Sequence, residues 1–376
     1  MFPELSLWLQ LLLAFVVSLV ISYLMTPPVK GFAEHVGAID VPKDDRRVHD
    51  HPIPRMGGLA IFLGFVLSLL VFVPMDIKVM GLLLGALVIS VVGGVDDIIS
   101  LSPGAKLLAQ FIAALICVRC GIVFDAISNP NVFAEQSYIE IGFLSYPLTI
   151  LWIVGCTNAV NLIDGLDGLA VGVSAISSLT MLVVSLLVAD PVVSIILAAL
   201  AGACLGFMPY NFNPAKIFMG DVGSQFLGFV LGVVSIMGLF KFQAIITFIV
   251  PLLALAVPLA DTIFAFIRRI LKGQSPFHAD KGHFHHRLMA TGLSQKQTVA
   301  VLYGVSAIMG LVAVLISGHN SLIKILCVVG IFITLLGIWI IMAIRNPRKA
   351  KARKLKKQQH AAELAAKKAA EAEKEE

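Results

Sequence analysis

Residues 5–24 read LSLWLQLLLAFVVSLVISYL, twenty positions without a charge. A helix crossing the hydrocarbon core of a bilayer takes roughly 20 apolar residues, and this stretch supplies one crossing. Runs of comparable length recur as far as Ile344 with only short interruptions. The 376-residue chain is 58% apolar and only 14% charged, with mean hydropathy +0.94, which sets it apart from soluble globular proteins. The fold class is therefore an all-α polytopic integral membrane protein, with no room for a soluble ectodomain between the spans.

Eleven crossings are expected, at 4–25, 57–74, 78–95, 104–121, 143–160, 168–188, 191–209, 221–240, 243–267, 298–317 and 321–344. An odd count puts the termini on opposite sides, and the Lys/Arg content of the loops decides which is which. Segments 26–56, 96–106, 158–167, 210–220, 268–297 and the tail hold 5, 1, 0, 1, 6 and 11 Lys/Arg, whereas the other side and the spans hold only Lys78, Arg119, Lys241 and Lys324. The expected topology has the N-terminus outside, the C-terminus in the cytoplasm and multiple passes through the membrane. No Lys or Arg precedes Lys30, so the first run lacks the positive flank of a signal peptide and reads as an uncleaved span. Between crossings, QSYIEIGF alternates in a way that predicts a small outer hairpin.

The transmembrane unit is expected over 1–345, followed by a charged cytoplasmic tail over 346–376. The formal charge of +5 arises after Ile344, where 11 basic and 5 acidic residues give +6, against −1 for the rest of the chain. The body thus offers no basic surface for nucleic acid, while the tail suits water or anionic membrane lipid. All five cysteines lie in or beside apolar runs, where cysteine acts as a small hydrophobe. Cys117 and Cys120 form a C-x-x-C, but no paired His/Cys set accompanies them.

Carboxylates at the rim of membrane spans are costly and point to function. Asp96 and Asp97 (VVGGVDDIIS), Asp164 and Asp167 (NAVNLIDGLDGLA) and Asp221 (NPAKIFMGDVGS) all fall where a run meets a predicted cytoplasmic loop. If their stretch is helical, Asp164 and Asp167 share a face. Adjacent Asp96 and Asp97 cannot point the same way on a regular helix, so they are expected to take different partners. Like charges this close repel unless they share a cation. A hard divalent ion with oxygen ligands, Mg²⁺ before Mn²⁺, meets that need and keeps waters that substrate phosphates can replace. Asp261 differs, lying about 10 Å inside Arg268 at helical rise, and is read as a structural hydrogen-bonding residue.

The same predicted side carries cations suited to phosphate. The first loop, IDVPKDDRRVHDHPIPRMGG, holds Arg47 and Arg55; a later one, SPFHADKGHFHHRLMATG, holds His283, His285, His286 and Arg287. A zinc site is the other reading of the histidines, although no cysteine, and no acid beyond Asp280, stands at ligand spacing. Lys106, nine residues after Asp97, is placed to reach a phosphate held near the aspartates.

The strings PRMGG, GGVDD, NAVNLIDGLDGL, NPAKIFMGDVGS and HFHHRL, in this order, resemble the polyprenyl-phosphate N-acetylhexosamine-1-phosphate transferases, and within them the WecA and TagO branch. The resemblance covers about residues 5–345. It implies transfer of GlcNAc 1-phosphate from UDP-GlcNAc to undecaprenyl phosphate, giving undecaprenyl-pyrophosphate-GlcNAc and UMP at the cytoplasmic surface. That is the opening membrane step of an envelope polysaccharide such as teichoic acid or O-antigen. It also makes a homodimer plausible. By motif, Asp221 is the metal-ligand candidate with Asn161 or Asp97, Asp96 engages the lipid phosphate, and Lys106 the pyrophosphate. Asp164 and Asp167 belong to the nucleotide-sugar pocket, Asn211 to a further polar position, and His285, His286 and Arg287 to the sugar-phosphate loop. The related MraY enzymes, which transfer phospho-MurNAc-pentapeptide, usually show three consecutive histidines, and H-F-H-H-R departs from that. The departure favours the GlcNAc branch and leaves the role of His283 open.

Direct attack of the lipid phosphate is expected, since a phosphate monoester with second pKa near ~6 is largely dianionic at neutral pH. The competing class, a transporter or flippase, would hold its acids near the bilayer midplane. A membrane scaffold would leave the aspartate and histidine strings unexplained.

Overall fold

The computed structural model describes residues 5–41, 51–124, 126–128, 138–187, 190–239, 245–271, 283–317 and 321–343. Arg47, Asp280, His278 and the tail over 346–376 lie outside the described residues. In chain order the elements are α1 (Leu7–His35), β1 (Ile39–Asp40), β2 (Ile53–Pro54), α2 (Gly58–Phe72), α3 (Ile77–Ile99), α4 (Pro103–Arg119), β3 (Ala126–Ser128) and β4 (Tyr138–Glu140). Then follow α5 (Ser145–Ile163), α6 (Leu169–Leu187), α7 (Pro191–Asn211), α8 (Gly220–Val234), α9 (Ile245–Ala254), α10 (Ala256–Leu271), α11 (Phe284–Ala290), α12 (Gln295–Ser317) and α13 (Ser321–Ala343).

The described residues are almost wholly helical, as the long apolar runs predict. Among the described residues, eight helices are long and apolar enough to cross a membrane: α1, α3, α5 with the short 3₁₀ turn before it, α6, α7, α8 with its π-helical end, α12 and α13. The other three expected crossings fall on α2, on α4, and on α9 with α10. The small hairpin is present, β3 pairing antiparallel with β4 and Ile127 opposite Ile139. A second pair, β1 with β2, has no signature in the sequence pattern.

The expected span 243–267 is two helices, interrupted at Leu255. Pro258 has no N–H to return to the carbonyl of Ala254, so the helical ladder fails there. The hydroxyl of Ser177 on α6 donates to that carbonyl at 2.6 Å. A neighbouring helix thereby satisfies the group the proline leaves open, which is how such breaks survive in lipid.

Helix packing rests on small residues. In lipid, helices associate through close van der Waals contact and interhelical hydrogen bonds. On α7, Gly202 and Gly206 lie so close to α1 that a Cβ on either would sit 2.2 Å from the carbonyl oxygens of Phe15 and Leu19 respectively. Ser18 and Ser22 of α1 donate back to Ala199 at 2.6 Å and Ala203 at 2.8 Å. The same device surrounds α8, whose residues from Val222 to Val234 are all buried. Gly58 of α2 meets Gly223, Gly93 of α3 meets the backbone of Val222, and Gly228 meets the carbonyl of Cys156 on α5. α8 is therefore the central post, with α2, α3 and α5 pressed to its backbone, and its N-terminal turn carries Asp221.

Candidate active site

The site grows from the C-terminus of α3. Asp96 and Asp97 are both buried there, and they diverge as neighbours on a helix must. Ser100, left-handed at φ 52°, ends α3 and donates its N–H to the carbonyl of Asp96. Leu101 N donates to Asp96 Oδ1 at 2.7 Å. The remaining oxygen, Oδ2, faces Lys106 Nζ at 3.2 Å. Lys106 stands in the first turn of α4, which Pro103 opens and Ser102 caps. From there its ammonium also reaches Asp221 Oδ2 at 2.9 Å. One ammonium thus bridges carboxylates from α3 and α8.

Asp97 turns the other way. Its Oδ1 accepts the N–H of Asp221 at 3.1 Å and its Oδ2 that of Val222 at 3.3 Å, so it caps α8 from outside that helix. A carboxylate at a helix N-terminus satisfies orphan donors and meets the positive end of the dipole. Gly220 makes the approach possible. Its φ of +71° is left-handed, and a Cβ there would lie 2.2 Å from Asp97 Oδ2. Arg55 backs Asp97 with Nε 3.0 Å and Nη2 2.9 Å from its carbonyl oxygen, and Nε 3.6 Å from its carboxylate. The PRMGG strand end that carries Arg55 is stitched to the segment before α8. Phe218 N donates to Pro54 O, Gly57 N to Phe218 O, and Gly58 N to Met219 O.

The 164–168 stretch is turn, not helix, so Asp164 and Asp167 do not share a helical face and take separate roles. Asp167 Oδ2 accepts Asn213 Nδ2 at 2.8 Å and Ala215 N at 3.1 Å. Asn211, buried, accepts Gly168 N at 3.0 Å and donates to Ile217 O at 3.0 Å. These two side chains bind the turn after α5 to the loop before α8. Asp164, at the C-terminus of α5, keeps its carboxyl toward the acidic pool. Desolvation first, then the charges of Asp221, Asp97 and Asp167, push its pKa up to about 8. Asn161, one turn earlier, donates to Ser224 Oγ at 2.8 Å.

The histidine string forms α11, laid against this turn. Asp261 accepts His283 Nδ1 at 2.7 Å and Phe284 N at 2.7 Å, the structural role read for it from the sequence, and His283 is thereby its partner. The rings of His283 and His285 stack in parallel at 5.8 Å, and His286 lies 4.3 Å from His285. Stacked rings present faces to one another rather than converging nitrogens. The imidazole of His285 lies over Gly165, where a Cβ would stand 2.7 Å from Nε2. Burial first, then the neighbouring His286, hold its pKa down to about 4, so it is neutral at physiological pH. Arg287 lines an apolar cavity of about 610 Å³ between α10, α11 and α12, together with Val257, Leu288 and Leu302.

Sequence reasoning passed over an amide chain with two buried members: Gln225 Nε2 donates to Asp221 Oδ2 at 2.8 Å, Gln110 to Gln225 at 2.9 Å, and the half-buried Asn158 to Gln110 at 2.6 Å. Its signal was available, since Gln110 and Gln225 interrupt apolar runs and Gln225 stands one helical turn after Asp221.

Among the described residues, no group of three or more His, Cys, Asp or Glu side chains forms a ready metal cage. The donor set nevertheless suits a hard divalent ion. Asp96 and Asp221 offer carboxylate oxygens to one shared cationic point, and Mg²⁺ commonly takes only one or two carboxylates and completes its shell with substrate phosphate and water. Asp97, with both oxygens engaged by α8, holds the site's frame.

Residues 79–239 match glycosyl transferase family 4. The probable undecaprenyl-phosphate N-acetylglucosaminyl 1-phosphate transferase of Bacillus subtilis is 43% identical over 309 residues, covering 82% of this chain and 85% of that protein. The chain belongs to glycosyl transferase family 4. Decaprenyl-phosphate N-acetylglucosaminephosphotransferase of Mycobacterium tuberculosis is 34% identical over 324 residues, 78% of this chain and 79% of the relative. Phospho-N-acetylmuramoyl-pentapeptide-transferase of Staphylococcus epidermidis is 32% identical over 281 residues, 71% and 85%. The motif resemblance and the enzyme assignment therefore stand. The family match contains Asp96, Asp97, Lys106, Asn161, Asp164, Asp167, Asn211 and Asp221, while Arg55 and α11 lie outside it.

Proposed function

We propose that this family 4 enzyme transfers GlcNAc 1-phosphate from UDP-GlcNAc to undecaprenyl phosphate, releasing UMP. The observation that carries this reading is the bridge of Lys106 between Asp96 and Asp221 at the ends of three apolar helices. With a divalent cation bound, this acidic centre would neutralise phosphate where a lipid's phosphate, its tail still in hydrocarbon, meets a water-soluble nucleotide. The relatives named for undecaprenyl- and decaprenyl-phosphate transfer support the substrate class. The finer topology belongs to the same reading: eleven crossings with the N-terminus outside, the centre on the cytoplasmic face of a bacterial inner membrane, and a homodimer.

In the reaction an oxygen of the lipid phosphate attacks the sugar-bearing phosphorus of UDP-GlcNAc. The bond from that phosphorus to the bridging oxygen breaks, and the bridging oxygen leaves with UMP. Phosphoryl transfer asks the protein chiefly for positioning and charge neutralisation. Lys106 supplies a positive point to the phosphates, Asp221 and Asp96 with Asn161 would hold a divalent cation, and Asp97 with Arg55 fixes the N-terminus of α8. A bound Mg²⁺ or Mn²⁺ would add Lewis-acid neutralisation of the diphosphate. His285, uncharged, and His286 offer hydrogen bonds to the donor beside Asp164.

Purified protein incubated with undecaprenyl phosphate, Mg²⁺ and a panel of UDP-sugars, with UMP release as readout, tests the proposal. UDP-GlcNAc is expected to be turned over in preference to UDP-GalNAc and UDP-MurNAc-pentapeptide. Release of UMP without lipid acceptor, or no release with any donor, would sink it.

A further inference from the structure

Three amides stand behind Asp221, the buried Gln225 on α8 and Gln110 on α4 and the half-buried Asn158 on α5, at positions where apolar residues would pack at lower cost. Gln110 and Gln225 are each 2% exposed. We propose that Asn158, Gln110 and Gln225 are positioning residues that force a hydrogen-bond donor onto Asp221 and hold its carboxylate in place while Lys106 engages substrate. This rests on the reading of Asp221 as a residue of the phosphate-binding centre.

The direction of the chain follows from what each group can do. A glutamine amide presents oxygen and NH₂ ends of nearly equal size, so only its partners decide which way it points. The backbone carbonyl of Val154 can only accept, and Asn158 Nδ2 donates to it at 2.8 Å. That places the NH₂ of Asn158 toward Gln110, whose Oε1 accepts from it at 2.6 Å. The NH₂ of Gln110 must then face Gln225, whose Oε1 accepts it at 2.9 Å. The NH₂ of Gln225 is left facing Asp221 Oδ2, at 2.8 Å. Reversing any one amide would set oxygen against oxygen and NH₂ against NH₂. Aligned amide dipoles also polarise one another in a low-dielectric interior.

The chain has a purpose that Lys106 cannot serve alone. Lys106 is shared between Asp96 and Asp221, and a flexible ammonium drawn to an incoming phosphate loosens its hold on both. Gln225 sits one turn along the same helix as Asp221, and its grip does not depend on Lys106. Asp221 therefore keeps its orientation through the exchange of partners.

The test uses the full-length enzyme in nanodiscs with Gln225→Met, Gln110→Met, the double variant and Asp221→Asn. Methionine keeps length and suits an apolar interior. Two quantities are read: the Mg²⁺ concentration for half-maximal rate, and the Mg²⁺-induced rise in melting temperature without substrate. Losing one hydrogen bond to a charged group corresponds to roughly tenfold, so Gln225→Met is expected to raise the half-maximal Mg²⁺ about tenfold and shrink the thermal shift. Gln110→Met, which does not touch Asp221, is expected to move both in the same direction by a smaller factor. The double variant is expected to be no worse than Gln225→Met, because both act through one contact. Gln110→Glu accepts from Asn158 but has no NH₂ for Gln225, and is expected to be more impaired than Gln110→Met. Wild-type Mg²⁺ dependence in Gln110→Met, or multiplying effects in the double variant, would overturn the relay. Wild-type Mg²⁺ dependence in Asp221→Asn would instead overturn the reading of Asp221 itself, which separates the two failures.

Discussion

Asp97 Oδ1 accepts the backbone N–H of Asp221 at 3.1 Å, so one acid of the centre holds the helix that carries another. A side chain at the end of α3 thereby sets where α8 begins. Asp97→Ala would leave two N–H donors of α8 and the Arg55 guanidinium without their carboxylate, at a cost of about 3 kcal/mol. The expected result is a clear fall in melting temperature together with lost turnover. Asp97→Asn, keeping one acceptor oxygen, is expected to fall between. An unchanged melting temperature in Asp97→Ala would contradict the capping role.

Gly165 lies against the Nε2 edge of the His285 ring. A methyl group at position 165 would lie 2.7 Å from His285 Nε2 and push the imidazole off the turn. Misplacing a binding group by about 1 Å commonly costs up to 10²-fold in rate, so Gly165→Ala is expected to lose about tenfold or more in kcat/KM for the nucleotide donor. Gly165 is exposed, so the melting temperature is expected to stay within a degree or two of wild type. Wild-type kinetics in this variant would remove His285 from the donor pocket.

The pH dependence of stability has a component from His285. Its pKa is held down from 6.5 to about 4 by burial, then by His286. The folded state thus resists a proton that the unfolded state accepts. Its contribution is complete above pH 6.5 and is lost as pH falls from there toward 4. His285→Gln is expected to flatten the dependence of melting temperature on pH across that window, and an equal slope in both proteins would refute the assignment.

Asp164 works in the opposite direction. Raised from 3.8 to about 8, first by desolvation and then by Asp221, Asp97 and Asp167, it binds a proton more tightly folded than unfolded. Its contribution is complete below 3.8 and is lost as pH rises toward 8. In the absence of divalent cation, Asp164→Asn is expected to melt higher than wild type at pH 9, with the gap closing toward pH 5. A gap independent of pH would mean that Asp164 does not share the acidic pool.

Asp261→Leu removes the anchor of α11, since Asp261 accepts both His283 Nδ1 and Phe284 N. Donor KM is expected to rise by more than the lipid-acceptor KM, measured separately in steady-state kinetics. Equal rises would place α11 on the acceptor side instead.

What the chain's order of residues determined was its solvent and its chemistry in outline. Runs such as residues 5–24 declare membrane helices because burial in hydrocarbon depends on local composition alone. The acids at the ends of those runs declare a rim site, because a carboxylate there is too costly to be idle. Tertiary structure alone decided which acid does what. Asp96 and Asp97 are adjacent and chemically identical, yet one meets Lys106 and the other caps α8. The deciding partner, Asp221, lies 115 positions beyond Lys106. The break at Leu255 likewise needed Ser177 on another helix to satisfy the Ala254 carbonyl. A side chain's role follows from the donors within about 3 Å of it, and helix juxtaposition, through the glycines that let α2, α3 and α5 press against α8, chooses those donors.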